Sequence, residues 1–424
     1  MLLGDERLGT TPDYGGLAEL SQRVHRVEYL MDPRGGGHSE PSLDCPEIKA
    51  AGPDLVALRM RDPRHLNVLR AAVQKCHDRL VAAGIDLSAY DIAATAADLH
   101  DLRVALGITE WNGQAFGPSS EVAFEEARLY PDGLRTLTID SPTLLEPNGV
   151  ASGPAALDLA IARLGTDCAA TTTCATRAPN LTSMIDRAIA DLDGKPRTFD
   201  VDGTVQAILL DHPIRVVVDG TGLLRFIRAK LGEEYPDGKA VVATVLRVLD
   251  GTLGANDQAV VQLSSDIGDC LGMIPLCDRE NFGTLLSLGC GDTLSDASRA
   301  TLERDIAGRK PYADLFQPGP LAAQCDAWGV KPAVALAPEP LAGGTPLLVL
   351  RGVFDPFSAT PEQIDAAAGG EVSVHLVEVP NRSYDVLGPS ECVRAIRNAW
   401  VDAPTAPPAD TSCLSAIPSL DFGP

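Results

Sequence analysis

The sequence predicts an α/β protein: a mostly parallel central sheet with a helical cap inserted between the two halves of its core. Three observations carry that prediction. Strand-like runs alternate with runs of helical period in the first third of the chain, and such alternation builds parallel strands joined by right-handed crossovers. From about Asn148 to Trp328 the pattern becomes helical and irregular. Strand-like runs then return from Pro346 onward. The expected division is 1–147 for the first part of the core, 148–328 for the cap and 329–424 for the rest of the core.

The elements follow in order. Val24 to Met31 (VHRVEYLM) is β-branched and aromatic, and Asp32-Pro33-Arg34-Gly35-Gly36-Gly37 ends it with a tight loop. Leu66, Leu69, Val73, Cys76 and Leu80 repeat at helical spacing, as do Ile92, Leu99, Leu102 and Leu106, with Gly84 and Asp86 breaking the two helices apart. A short strand near Glu110-Trp111-Asn112 precedes Gly113-Gln114-Ala115-Phe116-Gly117-Pro118, and a helix is expected from Ser119 to Tyr130. Leu134 to Ile139 is the next strand, closed by Asp140-Ser141-Pro142. Pro346–Gly352 and Val372–Val379 supply later strands, Ser390–Val401 a helix, and the Pro-rich tail from Pro404 to Pro424 is irregular.

Composition narrows the function classes. The chain has 424 residues, 45% hydrophobic and 22% charged, and so is a globular protein with ample core. Acids outnumber bases 58 to 35, giving a net charge of −23, which argues against nucleic acid and anionic membrane surfaces. No apolar run is long enough to predict a transmembrane span. The start, Met1-Leu2-Leu3-Gly4-Asp5-Glu6, turns acidic at once and predicts no signal peptide. Ten cysteines without a Cys-x-x-Cys pair point to disulfides in an oxidising compartment, the alternative being buried thiols in the cytoplasm. Cys76-His77 has no partners at zinc spacing, so neither metal nor cofactor is expected.

Several segments together carry a resemblance. They are Asp32-Pro33-Arg34-Gly35-Gly36-Gly37-His38-Ser39-Glu40-Pro41-Ser42-Leu43-Asp44-Cys45-Pro46, Ala94-Thr95-Ala96-Ala97-Asp98-Leu99 through Leu106-Gly107-Ile108, Gly352-Val353-Phe354-Asp355-Pro356, Ser390-Glu391-Cys392 and the tail with Cys413. The chain resembles the tripeptidyl aminopeptidase and prolyl-iminopeptidase-like serine peptidases. The resemblance implies an α/β-hydrolase fold with an inserted helical cap, a TAP-like C-terminal segment and an exported peptidase or esterase ancestry. It also implies the pairs Cys45–Cys76, Cys168–Cys174, Cys290–Cys325 and Cys392–Cys413, with Cys270 and Cys277 left as a fifth.

Enzymes of this kind carry their nucleophile on a strand–turn–helix elbow, Gly-x-Ser-x-Gly. Here the elbow reads Gly113-Gln114-Ala115-Phe116-Gly117, so the resemblance places Ala115 at the nucleophile position, and a methyl group cannot attack a carbonyl. Asp355 falls at the acid position, with turn capping as its bland alternative. Tyr384 falls where the histidine base belongs, and a phenol of ordinary pKa near ~10 is a poor base at neutral pH. The Leu3-Gly4-Asp5-Glu6-Arg7-Leu8-Gly9 segment puts two acids where the family has oxyanion-loop glycines. Ser119 and Ser120 read as helix polarity, and His375 as a packed strand residue. Phe116, through its backbone N–H, with Gln114 and His38, are the expected substrate contacts.

Three functions compete. The first is a non-hydrolytic binding protein for a short peptide or small molecule. The second is a repurposed enzyme for cyclisation, elimination, isomerisation or decarboxylation, using Tyr384, Asp355 and a retained oxyanion-type backbone site. Slow hydrolysis by water through an unrecognised base is a third. Location is secreted or cell-envelope by resemblance and cytoplasmic by the acidic start; the oligomeric state is left open.

Overall fold

The computed structural model describes residues 2–3, 27, 29–59, 62–144, 152–201, 213–261, 281–293, 303, 306, 315–316, 318–330, 344–370, 373–404 and 406–423. Among the described residues six strands form one sheet in the order β2-β1-β3-β4-β7-β8, and every neighbouring pair is parallel. They are β1 (Leu2–Leu3), β2 (Leu30–Met31), β3 (Trp111–Phe116), β4 (Leu134–Asp140), β7 (Leu347–Gly352) and β8 (Val374–Val379). The intervening β5 (Arg197–Val201) and β6 (Ile214–Val218) make a separate antiparallel pair. That hairpin lies in the stretch read as helical.

Each strand follows from its residues. β7 is buried at all six positions, as an apolar run in the middle of a parallel sheet should be. Even Arg351 is fully buried there. Its guanidinium donates to the carbonyls of Ala359, Gly352 and Asp355 at 2.9–3.0 Å, and burial lowers its pKa below the ordinary value. β3 alternates buried and half-buried side chains, which is the period-2 signature of a strand. It extends to Phe116, beyond the short strand expected at Glu110–Asn112, because Gly113 to Phe116 pair in register with Leu137 to Asp140.

Helices flank the sheet. Helix α1 (Pro63–Ala82) starts on an Asp62 cap with Pro63 in its first turn and buries Ala72, Val73, Cys76 and Leu80. Helix α2 (Ile92–Ala105) is capped by Asp91, and α3 (Ser119–Leu129) follows β3. The later stretch carries α4 (Ser152–Ala170), α5 (Leu181–Gly194), α6 (Gly220–Gly232), α7 (Gly238–Leu249), α8 (Phe282–Leu288) and α9 (Pro318–Trp328). Helices α10 (Pro361–Ala368) and α11 (Glu391–Asp402) sit beside β7 and β8 in sequence.

The apolar interior divides accordingly. Leu157, Ile161 and Leu164 of α4, Ile185 and Ile189 of α5, Leu223 and Ile227 of α6, and Val241 and Val245 of α7 share one cluster. Phe354, from the loop after β7, and Phe422, from the tail, insert into that same cluster. The sheet has its own clusters with α2 and α3 on one side and α11 on the other.

Among the described residues four disulfides form: Cys45–Cys76, Cys168–Cys174, Cys290–Cys325 and Cys392–Cys413. They are the pairs the resemblance implies. Cys270 and Cys277 lie outside the described residues, as do Gly4 to Gly9 of the acidic first loop. Among the described residues, no helix is long and apolar enough to cross a membrane.

Candidate active site

The carboxyl ends of β3, β4, β7 and β8 point their loops to one edge of the sheet, the usual place for ligands in open α/β sheets. At β3 the turn into α3 is made by Gly117, whose φ of +56° is the left-handed conformation glycine tolerates. Its N–H donates to the Asp140 carbonyl at 3.0 Å. Ala115 sits two residues earlier, inside the strand, opposite Ile139 and only 1% exposed. The left-handed residue is therefore displaced from the position that the resemblance gives Ala115. Neither residue carries a nucleophile.

The nearby hydroxyls close the first turn of α3. Ser119 is buried; its Oγ donates to the Phe116 carbonyl at 2.8 Å and accepts the Phe116 N–H at 3.0 Å. Ser120 Oγ lies 2.6 Å from the Gly117 carbonyl and accepts the Thr143 N–H at 2.9 Å. The Phe116 N–H, expected at the substrate, donates in this structure to the side chain three residues on.

The other candidates separate into two groups. Phe116 and Tyr384 do meet, with ring centroids 4.5 Å apart, and Phe357 packs edge-on to Tyr384 at 5.4 Å. Gln114 turns away, and its amide oxygen accepts from Arg397 on α11. His38 is 90% exposed; its Nδ1 and backbone N lie 3.0 and 2.9 Å from Asp32 Oδ2, a contact within its own loop. His375 lies on β8 against Trp400, and burial lowers its pKa. Cys45, Glu47 and Cys76 come close enough to suggest a metal, but the two sulfurs are joined to each other.

Asp355 is fully buried and engaged with its own turn. Oδ1 accepts the N–H groups of Phe357 and Ser358 at 2.9 and 3.1 Å, and Oδ2 accepts the Ser358 hydroxyl. The turn it braces presents two aromatic rings to the helices above. Phe354 enters the helical cluster, and Phe357 lies under the Arg228 guanidinium at 4.4 Å. At Gly232, one turn along α6, a Cβ would stand 2.1 Å from the Phe357 ring, so only glycine lets the helix approach so closely.

Two carboxyls far apart in sequence form a buried pair that no local pattern marks. Asp140, at the end of β4, is buried; it accepts the Val386 and Leu387 N–H groups at 3.2 and 2.8 Å and the Ser141 hydroxyl at 3.0 Å. Asp385 lies beside it, accepts the Gly388 N–H at 2.8 Å and donates its own N–H to Ser141 Oγ at 3.2 Å. Burial raises both carboxyls above the ordinary range, and the Asp385 charge raises Asp140 further. Ser141, Asn381 and Asp385 are all non-glycine residues with positive φ (54°, 54° and 61°). Asn and Asp tolerate that region; a buried serine in it is unusual.

Residues 314–413, from before α9 to Cys413, match the family described as TAP-like protein. No curated protein matches the chain. Among solved structures it is similar to MGS-M2, an alpha/beta hydrolase enzyme from a Medee basin deep-sea metagenome library, at 10% identity over 79% of this chain and 75% of that one, with a TM-score of 0.29. So slight a structural likeness carries no weight. The chain is thus an α/β protein with a parallel sheet, a strand–turn–helix after β3 and a TAP-like segment over residues 314–413.

Proposed function

We propose that the protein is a non-hydrolytic member of the α/β-hydrolase class that binds a short peptide or small molecule, with the stretch 148–328 acting as a cap over the carboxyl edge of the sheet. One observation carries the reading: the turn after β3 has no group able to attack a carbonyl. Ala115 is in the strand, Gly117 makes the turn, and the hydroxyls of Ser119 and Ser120 are held by backbone groups. The repurposed-enzyme alternative needs the Phe116 N–H for substrate and the Asp355 carboxylate as the partner of Tyr384, and both groups are engaged within their own turns. The four disulfides support an exported protein in an oxidising compartment.

The test pairs peptidase and esterase assays with labelling by a fluorophosphonate, which modifies activated serines. The expected outcome is no turnover and no labelling, in the parent and in an Ala115→Ser, Tyr384→His double variant. Turnover by the parent at rates ordinary for a serine peptidase overturns the reading. So does stoichiometric labelling.

A further inference from the structure

A cavity of about 350 Å³ opens between the turn joining α6 to α7, the loop after β8 and the C-terminal tail. The charged groups around it differ in how far they are already engaged. Glu233 pairs with Lys230 at 2.5 Å, Asp237 caps α7 by accepting the Ala240 N–H at 2.8 Å, and Asp421 accepts the Gly423 N–H at 2.8 Å. Arg382 and Lys239 line the same cavity, and among the described residues neither has a carboxylate partner. The Arg382 guanidinium lies over the Tyr235 ring at 4.3 Å, and its Nη1 donates to the Asn381 carbonyl at 3.1 Å. Its Nε is buried without a hydrogen-bond partner among the described residues. Tyr235 is 56% exposed, so the stacked pair stands at the solvent side of the molecule.

In a chain of net charge −23, two such cations on one cavity mark a place for an anion. A carboxylate accepts from a guanidinium and an ammonium group alike, and a monoanion is opposed less by the three neighbouring acids than a dianionic phosphate is. Pro236, Pro418 and Leu420 give the remaining wall an apolar character suited to a short aliphatic body. We propose that this cavity binds a small aliphatic carboxylate, held by Arg382 and Lys239. The proposal rests on the binding-protein reading above and names where the ligand sits and what it carries.

The test is calorimetric titration of the full chain with N-acetyl-leucine, N-acetyl-leucinamide and inorganic phosphate. The acid is expected to bind, the amide about ten-fold more weakly or worse, and phosphate more weakly than the acid, since a charge-assisted contact is worth roughly a factor of ten. Arg382→Gln and Lys239→Gln each weaken the acid about ten-fold, with Arg382→Lys falling between Arg382→Gln and the parent. Lys239 is exposed, so Lys239→Gln keeps the test intact if Arg382→Gln lowers the thermal midpoint. Absence of acid binding at millimolar concentration, equal binding of acid and amide, tighter binding of phosphate, or Lys239→Gln binding like the parent overturns the proposal. Mass spectrometry of the recovered amide separates the two readings. Conversion of the amide to acid overturns the non-hydrolytic reading alone, whereas intact amide with no acid binding overturns the site alone.

Discussion

The loops after β7 and β8 leave the same edge of the sheet and differ in how fully their polar groups are satisfied. The β7 loop is closed on itself: Asp355 accepts three hydrogen bonds from its own turn, and Phe354 and Phe357 are docked into the helices. The β8 loop holds two left-handed non-glycine residues, a buried Arg382 Nε and a buried Ser383 Oγ without partners among the described residues, and Asp385, whose carboxyl pairs with Asp140 of β4 and whose pKa, like that of Asp140, is raised. Residues that look catalytic in sequence can therefore serve as scaffold. A satisfied acid braces a turn, and a loop that stores unmet polarity is the better place to look for a ligand.

The largest expected effect breaks the satisfied loop. Asp355→Ala strands two N–H groups and a buried hydroxyl and should cost about 3 kcal/mol, read by urea denaturation. Asp355→Asn, which keeps one acceptor, should cost roughly half as much. If Asp355→Ala leaves stability unchanged, Asp355 is not the brace that its hydrogen bonds indicate.

Next is the pH dependence of the carboxyl pair. Both pKa values are raised in the folded protein, so it retains protons that the unfolded chain releases. Stability from this source is present in acid and falls as pH rises from the unfolded carboxylate value of ~4 through the raised folded values. Asp385→Asn tolerates the left-handed backbone, still accepts from Gly388 and removes the neighbouring charge. It should flatten the decline between pH 4 and 8 and gain roughly 1 kcal/mol at the alkaline end. A slope identical to the parent's shows that the pair does not titrate in that range.

Gly117→Ser follows, at about 1 kcal/mol of destabilisation for a side chain in the left-handed region, with no esterase activity gained. Measurable turnover on a chromogenic ester would show that the turn still has oxyanion donors to spare. The smallest effect belongs to His38→Ala, within about 0.5 kcal/mol by thermal denaturation, because that side chain is almost fully exposed.

Much of the sheet was legible. β4, β7 and β8 and helices α1, α2, α3 and α11 lie close to where periodicity and turn residues put them, since apolar runs such as Leu347–Leu350 have few other uses. The site was less so. Gly113 and Gly117 fit the elbow motif whichever residue makes the turn, and only the pairing of Phe116 with Asp140 moves the bend to Gly117. The hairpin of β5 and β6 is short and set among helices, so its period-2 signal was weak. The Asp140 carboxylate and the N–H groups it holds are 246 and 247 residues apart, a separation across which no local pattern extends.

The tail is fastened twice. Leu414 and Ile417 pack on the α11 side of the sheet, while Leu420 and Phe422 are packed into the helical cluster, so one short segment spans both hydrophobic bodies. The run before it, around Ala406 to Asp410, is largely exposed, but Cys392–Cys413 bridges across it. A protease that cuts there nicks the chain without freeing the strap. Release needs two events of different chemistry, backbone cleavage and thiol reduction. In an oxidising compartment reduction is the rarer of the two, so the bridge outlasts a nick.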